Sequence, residues 1–200
     1  MLNFSFHNST RIHFGEGQIE AIKKEIPANA RVLMVYGGGS IKKNGVYDQV
    51  SDALSDYEWF EFSGIEPNPQ YDTLVKSLAI IKEKKIDYLL AVGGGSVVDG
   101  VKFIAGAALF EGDDPWDIIA KQQRIQKALP IGAVLTLPAT GSETNQGAVV
   151  TRNGHKLPFS SPLVRPQFAV LDPAVTLSLS DRQVSNGVVD AFVHTMEQYL

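Results

Sequence analysis

The chain has 200 residues, 44% of them apolar and 20% charged, with 18 lysines and arginines against 22 acidic residues and no cysteine. That length admits one generous domain, or a domain and the start of another. The net charge of −4 speaks against a nucleic-acid partner, the lack of cysteine excludes disulfides and thiolate metal sites, and no apolar run approaches the roughly 20 residues that cross a bilayer. The opening "MLNFSFHNSTRIHFG" lacks the basic region and apolar core of a signal peptide, so a cytoplasmic location and no membrane partner are expected.

In chain order, "TRIHF" at 10–14 alternates weakly and predicts a short strand, and 18–24 a brief helix ended near Pro27. "RVLMVY" at 31–36 is an apolar, β-branched run of strand length. A helix is expected over 45–55, a strand over 59–64, and a turn-rich loop at "IEPNPQ". There follow a helix over 71–83, a strand over 87–92, an apolar helix over 97–109, and strands over 129–135 and 168–173. The segment 181–200 predicts a helix with no Gly, Asn or Pro exit, as expected of a chain that continues into something longer. Strands alternating with helices at this spacing predict an α/β fold: a Rossmann-like, mostly parallel sheet with helices on both faces.

Two strands run into bare-backbone turns, "YGGGS" at 36–40 and "VGGGS" at 92–96. In an open α/β sheet ligands sit beyond the carboxyl ends of the strands, where glycines let the backbone approach a phosphate. Glycines also simply make tight turns. Ser96 is a candidate cap for the following helix, with Asp99 in its first turn. Neither turn matches GxGxxG with its acidic residue about 20 positions on. The first has Ser40, Lys42 and Lys43 close by and no carboxylate at the strand end, which leans toward a nucleotide with an extra phosphate, though two lysines equally make a solvated surface. A third polar loop, "TLPATGSETNQGA" at 136–148, either lines the same ligand or, from Ser142 onward, starts a helix.

Asp190 and His194 stand at i and i+4 on the last predicted helix. Such a pair is either an ordinary surface ion pair or half of a zinc- or iron-type site. His7, His13 and His155 offer no convincing further ligands.

Together, "GGGSIKKNGV", "GIEPNP", "AVGGGSVVDGVKFIA", "TLPATGSETN", "FAVLDP" and "GVVDAFVHTMEQY" resemble the iron-containing alcohol dehydrogenase family, in its NADP-dependent aldehyde reductase and butanol dehydrogenase branch. The resemblance spans essentially the whole chain. It implies a dehydroquinate synthase-like nucleotide domain over 1–178, with 179–200 opening an all-helical, metal-binding domain whose remainder is missing. By the same resemblance Gly38, Gly39 and Ser40 lie near the adenosine ribose and its 2′-phosphate, and Asn68 at the adenosine end. Gly94, Gly95 and Ser96 form the pyrophosphate loop, with Asp99 behind it. Thr136, Leu137 and Leu177 are further cofactor contacts, and Asn145 and Lys156 lie near the nicotinamide and its ribose. Asp190 and His194 match the first two metal ligands; two later histidines of the family fall beyond residue 200. By the resemblance many NAD-using members carry an aspartate at the position of Gly37, so its absence favours NADP(H) over NAD(H).

The implied function is hydride transfer between NADP(H) and an aliphatic alcohol or aldehyde, assisted by a divalent iron or zinc. No catalytic residue is assigned beyond the metal ligands, and the 200-residue chain alone is expected to be inactive. A glycerol or other polyol dehydrogenase is the alternative within enzymes, and a non-catalytic nucleotide-binding module the alternative outside them. The strand near 10–14 admits a homodimer.

Overall fold

The computed structural model describes residues 3, 5 and 7–200. Six parallel strands form one sheet in the order β1-β8-β5-β4-β2-β3. They are β1 (Arg11–Phe14), β2 (Arg31–Tyr36), β3 (Glu58–Phe62), β4 (Tyr88–Gly93), β5 (Ile131–Leu135) and β8 (Phe168–Leu171). Along the central strands, odd and even residues go to opposite faces, and both faces are buried. Leu33, Val35, Leu89, Ala91, Ile131 and Ala133 join one apolar cluster. Val32, Met34, Leu90, Val92, Val134 and Phe168 join the other. Burial on both sides is why these strands read as continuous apolar runs.

The second cluster is covered by the 3-10 turn Gln18–Ala21, α1 (Ile22–Glu25) and α2 (Val46–Ala53). The first is covered by α3 (Tyr71–Leu74), α4 (Lys76–Lys84), α5 (Gly95–Ala107) and α6 (Asp117–Ala120). The helix expected over 71–83 is thus two pieces meeting at Val75, and that over 18–24 is a 3-10 turn leading into a single α-turn. Helix α5 begins at Gly95, two residues earlier than expected, and ten of its thirteen residues are buried.

A hairpin that the sequence reading did not anticipate stands outside the sheet. Strands β6 (Gly147–Arg152) and β7 (His155–Ser160) pair antiparallel and turn through Asn153 (φ 52°) and Gly154 (φ 77°), a two-residue left-handed turn. The hairpin lies over α5 and is tied to the loop before α3 by Thr151 N donating to Pro69 O at 2.9 Å.

Asp114 fastens this layer. It accepts from the Tyr71 hydroxyl, from Arg152 Nη1 at 2.8 Å and from Trp116 N at 2.9 Å, while the Arg152 guanidinium lies over the Tyr71 ring at 4.1 Å. Desolvation alone would raise the Asp114 carboxyl, but these donors outweigh it and hold the pKa down to about 2. A depressed carboxyl stabilises the fold above its unfolded pKa of about 4 and loses that contribution as the pH falls toward the folded value. The carboxylate is 40% exposed, so we expect about 1 kcal/mol or less. Asp114→Asn should melt below the parent at pH 7, and the gap should close between pH 4 and 2. A gap unchanged over that window would show that the charge of Asp114 contributes nothing.

Helix α7 (Asp181–Met196) opens with a capping box between Ser180 and Gln183. None of its residues is buried. Val184, Val188, Phe192 and Met196 form an exposed stripe at four-residue spacing. No helix among the described residues is long and apolar enough to cross a membrane.

Candidate functional site

From β2 the chain goes on to β3 at one flank, and from β4 it goes on to β5 at the other. The carboxyl ends of these two neighbouring strands therefore bound the crevice that a reversal of strand order creates. Both GGGS turns open into it.

In the first turn Gly39 has φ 91°, a region that favours glycine. A Cβ on Gly38 or Gly39 would meet nothing within 4 Å, whereas one on Gly37 would stand 3.1 Å from the Ile65 carbonyl oxygen. Gly37 is a packing position, and the open space belongs to Gly38 and Gly39. A Cβ thus has more room at 38 than at 37 in this turn. Ser40 is exposed beside it. Lys42 lies over the rings of Tyr36 and Tyr47, at 5.2 and 4.5 Å, and 3.6 Å from Glu61. Glu61 also accepts from both tyrosine hydroxyls, at 2.8 and 3.1 Å. Burial would raise the Glu61 carboxyl, but these hydrogen bonds and the Lys42 charge hold it below its ordinary value. Sequence reasoning weighed Lys42 and Lys43 alike; the fold gives Lys42 an acidic partner.

In the second turn Gly94 is extended and precedes α5. Ser96 does not cap the helix, correcting the sequence expectation; its Oγ accepts from Asn68 N at 3.3 Å. Asp99 is the fifth helical residue rather than part of the first turn. Both its oxygens are engaged, by Ser142 Oγ at 2.6 Å and Val149 N at 3.0 Å, so it braces the site from within the protein. The N–H groups of Gly95 and Ser96, in the first turn of α5, have no intrahelical acceptor and are available to an anion.

The third loop closes on that turn. Thr136 N donates to Gly93 O at 3.0 Å, Leu137 lies 3.5 Å from where a Gly94 Cβ would be, and Thr140 Oγ1 2.9 Å from that of Gly95. From Ser142 the loop makes a turn, not a helix, with Thr144 N and Asn145 N both donating to Gly141 O. Beneath it lies Lys102, fully buried, whose Nζ donates to Ser142 Oγ and Asn145 Oδ1, both at 2.9 Å, and to Gly147 O at 2.7 Å. Burial pushes the ammonium down to about 8 even with Asp99 and Glu143 nearby. Lys102 went unnoticed in the sequence, although a lysine inside an apolar helix must find acceptors.

Asn68 and Lys156, expected near opposite ends of a cofactor, are hydrogen-bonded to each other in this structure, Lys156 Nζ to Asn68 Oδ1 at 2.8 Å. Leu177 is 86% exposed on the 3-10 segment Pro173–Ser178, which reaches the first turn through Asn44 Nδ2 donating to Ser178 Oγ at 3.1 Å. A cavity of about 1000 Å³, lined by Asp99, Thr140, Ser142, Asn145 and Phe159 among others, opens between the third loop and the hairpin.

Asp190 and His194 are both exposed on α7. Asp190 Oδ2 lies 3.6 Å from His194 Nε2, and Glu197 Oε2 3.6 Å from His194 Nδ1. The donors suit a divalent zinc- or iron-type ion. Among the described residues no group of three or more His, Asp or Glu side chains is placed to hold a metal ion.

A reversed strand order with two glycine turns at its crevice defines an α/β unit of the Rossmann-like class. The chain belongs to the iron-containing alcohol dehydrogenase family, whose model matches residues 9–173. It is 57% identical to the NADPH-dependent aldehyde reductase YqhD of Escherichia coli over 100% of this chain and 53% of that protein. It is 48% identical to NADP-dependent alcohol dehydrogenase 3 of Entamoeba histolytica, again over 100% of this chain and 54% of that one. The crystal structure of E. coli YqhD superposes with a TM-score of 0.92 at 57% identity, covering 98% of this chain and 51% of that one. NADH-dependent butanol dehydrogenase A of Thermotoga maritima superposes with 0.91 at 46%, covering 98% and 50%. The chain thus spans about half the length of the relatives it matches.

Proposed function

We propose that this chain is the nucleotide-binding half of a metal-dependent alcohol dehydrogenase or aldehyde reductase that moves hydride between NADP(H) and an aliphatic alcohol or aldehyde. The observation that carries this reading is the pair of glycine turns at the strand-order reversal, with unfilled space at Gly38 and Gly39. Residues 1–178 are the nucleotide domain, and 179–200 open a helical domain, as the unburied α7 suggests.

Each part of the chain has a task in this reading. Gly38, Gly39 and Ser40 receive the adenosine ribose and its 2′-phosphate, with Lys43 supplying charge. The Gly95 and Ser96 N–H groups, at the positive end of α5, bind the pyrophosphate. Thr136, Leu137 and Asn145 orient the nicotinamide, while Asn68, Lys156 and Leu177 flank the cofactor. Asp99 holds the third loop in place behind the second turn. Asp190 and His194 are two of the metal ligands. When bound, the cofactor supplies the hydride and the metal supplies Lewis-acid polarisation of the substrate oxygen. The NADPH- and NADP-dependent relatives named above support the phosphorylated cofactor, set against the NADH-dependent butanol dehydrogenase of Thermotoga maritima. We further propose a cytoplasmic home and a homodimer formed through β1, the sheet edge on which Ile12 and Phe14 stay exposed.

Titration of the purified chain with NADPH and with NADH, followed by nicotinamide fluorescence, tests the reading. Saturable binding with at least tenfold preference for NADPH is expected. Equal affinity would overturn the cofactor preference, and no binding of either would remove the nucleotide site.

A further inference from the structure

Lys102 makes an unusual set of contacts for a buried cation. No carboxylate touches it: its three acceptors are a hydroxyl, a carboxamide oxygen and a backbone carbonyl. All three come from Ser142, Asn145 and Gly147, in one loop. Asp99, one turn earlier on α5, holds the same loop through Ser142 Oγ and Val149 N. Two charged side chains on one helix face thus fix a loop that borders the large cavity.

The consequence falls on Asn145. Its Oδ1 accepts from Lys102 Nζ at 2.9 Å and from Gly147 N at 3.0 Å. An ammonium can only donate, and so can a backbone N–H, so the oxygen of this carboxamide is fixed on the inner side. The Nδ2 group is left with one long contact, 3.4 Å to Thr140 O, and a residue that is exposed and lines the cavity.

We propose that Lys102 is a positioning residue that locks the Asn145 carboxamide with its N–H groups toward the cavity, so that this point of the site reads an acceptor oxygen on the ligand. That the oxygen belongs to the carboxamide or ribose of a nicotinamide nucleotide rests on the function proposed above. A methionine or leucine would fill the apolar channel of α5 at lower desolvation cost. What those residues lack is the means to orient an amide in the neighbouring loop.

Lys102→Met, Asn145→Asp and the double variant test this, read by thermal midpoint, by the side-chain ¹⁵N resonances of Asn145 and by NADPH titration. In the parent the two Asn145 amide protons should be well separated in shift, and in K102M they should move to free-amide positions. N145D keeps the inner acceptor and loses the outer donor. It should melt at or above the parent midpoint yet bind NADPH about tenfold more weakly. K102M should weaken NADPH to a similar degree, and the double variant no further than N145D alone. An Asn145 amide unchanged in K102M would overturn the proposal, leaving Lys102 a buried structural residue. If K102M does not fold, unchanged NADPH binding by N145D overturns it instead. If the parent binds no NADPH, the cofactor reading fails, and the Asn145 resonances still decide whether Lys102 positions the amide.

Discussion

Replacing Gly38 by aspartate is expected to weaken NADPH binding by about 10- to 100-fold while leaving NADH binding unchanged or improved. A carboxylate set beside a 2′-phosphate is a like charge at close range, and about 1–3 kcal/mol of repulsion in a partly solvated crevice gives that ratio. The same carboxylate accepts from the ribose diol of a nucleotide without the phosphate. The position matters. A Cβ at 38 meets nothing within 4 Å, while one at 37 stands 3.1 Å from the Ile65 carbonyl oxygen, so Gly38→Asp should leave the thermal midpoint in place where Gly37→Asp lowers it. The two lysines should separate in the same titration. Lys42 already shares its charge with Glu61 and two tyrosines, so Lys43→Ala should cost more NADPH affinity than Lys42→Ala. Preference for NADPH retained by Gly38→Asp would mean that the first turn does not hold the 2′-phosphate.

The largest effect on stability is expected at Phe168. This ring is fully buried, pairs in register with Gly132 on β5, and occupies the space where a Gly132 Cβ would stand. Phe168→Ala should destabilise by about 3–5 kcal/mol, which lowers the midpoint of a domain this size by roughly 6–20 °C. Gly132→Ala alone should cost about 1–3 kcal/mol, because the new methyl overlaps the ring. In the Phe168→Ala background that second penalty should vanish, since the methyl then enters the cavity the ring has left. Denaturant melts of the two single variants and the double variant read this coupling directly. Additive losses would show that Gly132 is a glycine for some reason other than the ring.

The strands were legible because burial on both faces leaves an uninterrupted apolar record, and "RVLMVY" marks β2 at the bounds observed. The hairpin was not, although Asn153–Gly154 is a strong hairpin signal. Its second strand, "HKLPFS", is exposed at all but one residue and contains Pro158, so neither alternation nor propensity marks it as a strand. Of the candidate site, the glycine turns could be read from spacing alone. The state of their neighbours could not. Whether Ser96 caps or accepts from Asn68, and whether Asp99 meets a ligand or Ser142, depends on loops 28 and 43 residues away in the chain. Lys102 carried a signal that went unused, as a lone cation amid "VKFIAGAAL".

The position of β8 bears on how the sheet is assembled. It is the last of the described strands, yet it lies inside the sheet, between β1 and β5. Among the described residues β1 pairs in the sheet with β8 alone, some 157 residues later by the register of Arg11 with Phe168. Pairing of β1 in this sheet must therefore wait until β8 has been synthesised. Contacts so distant in sequence make for slow closure. By contrast β3, β4 and β5 can pair as they emerge, each against a strand already made. The crevice between β2 and β4 is thus formed early in synthesis, and the far edge of the sheet is sealed last.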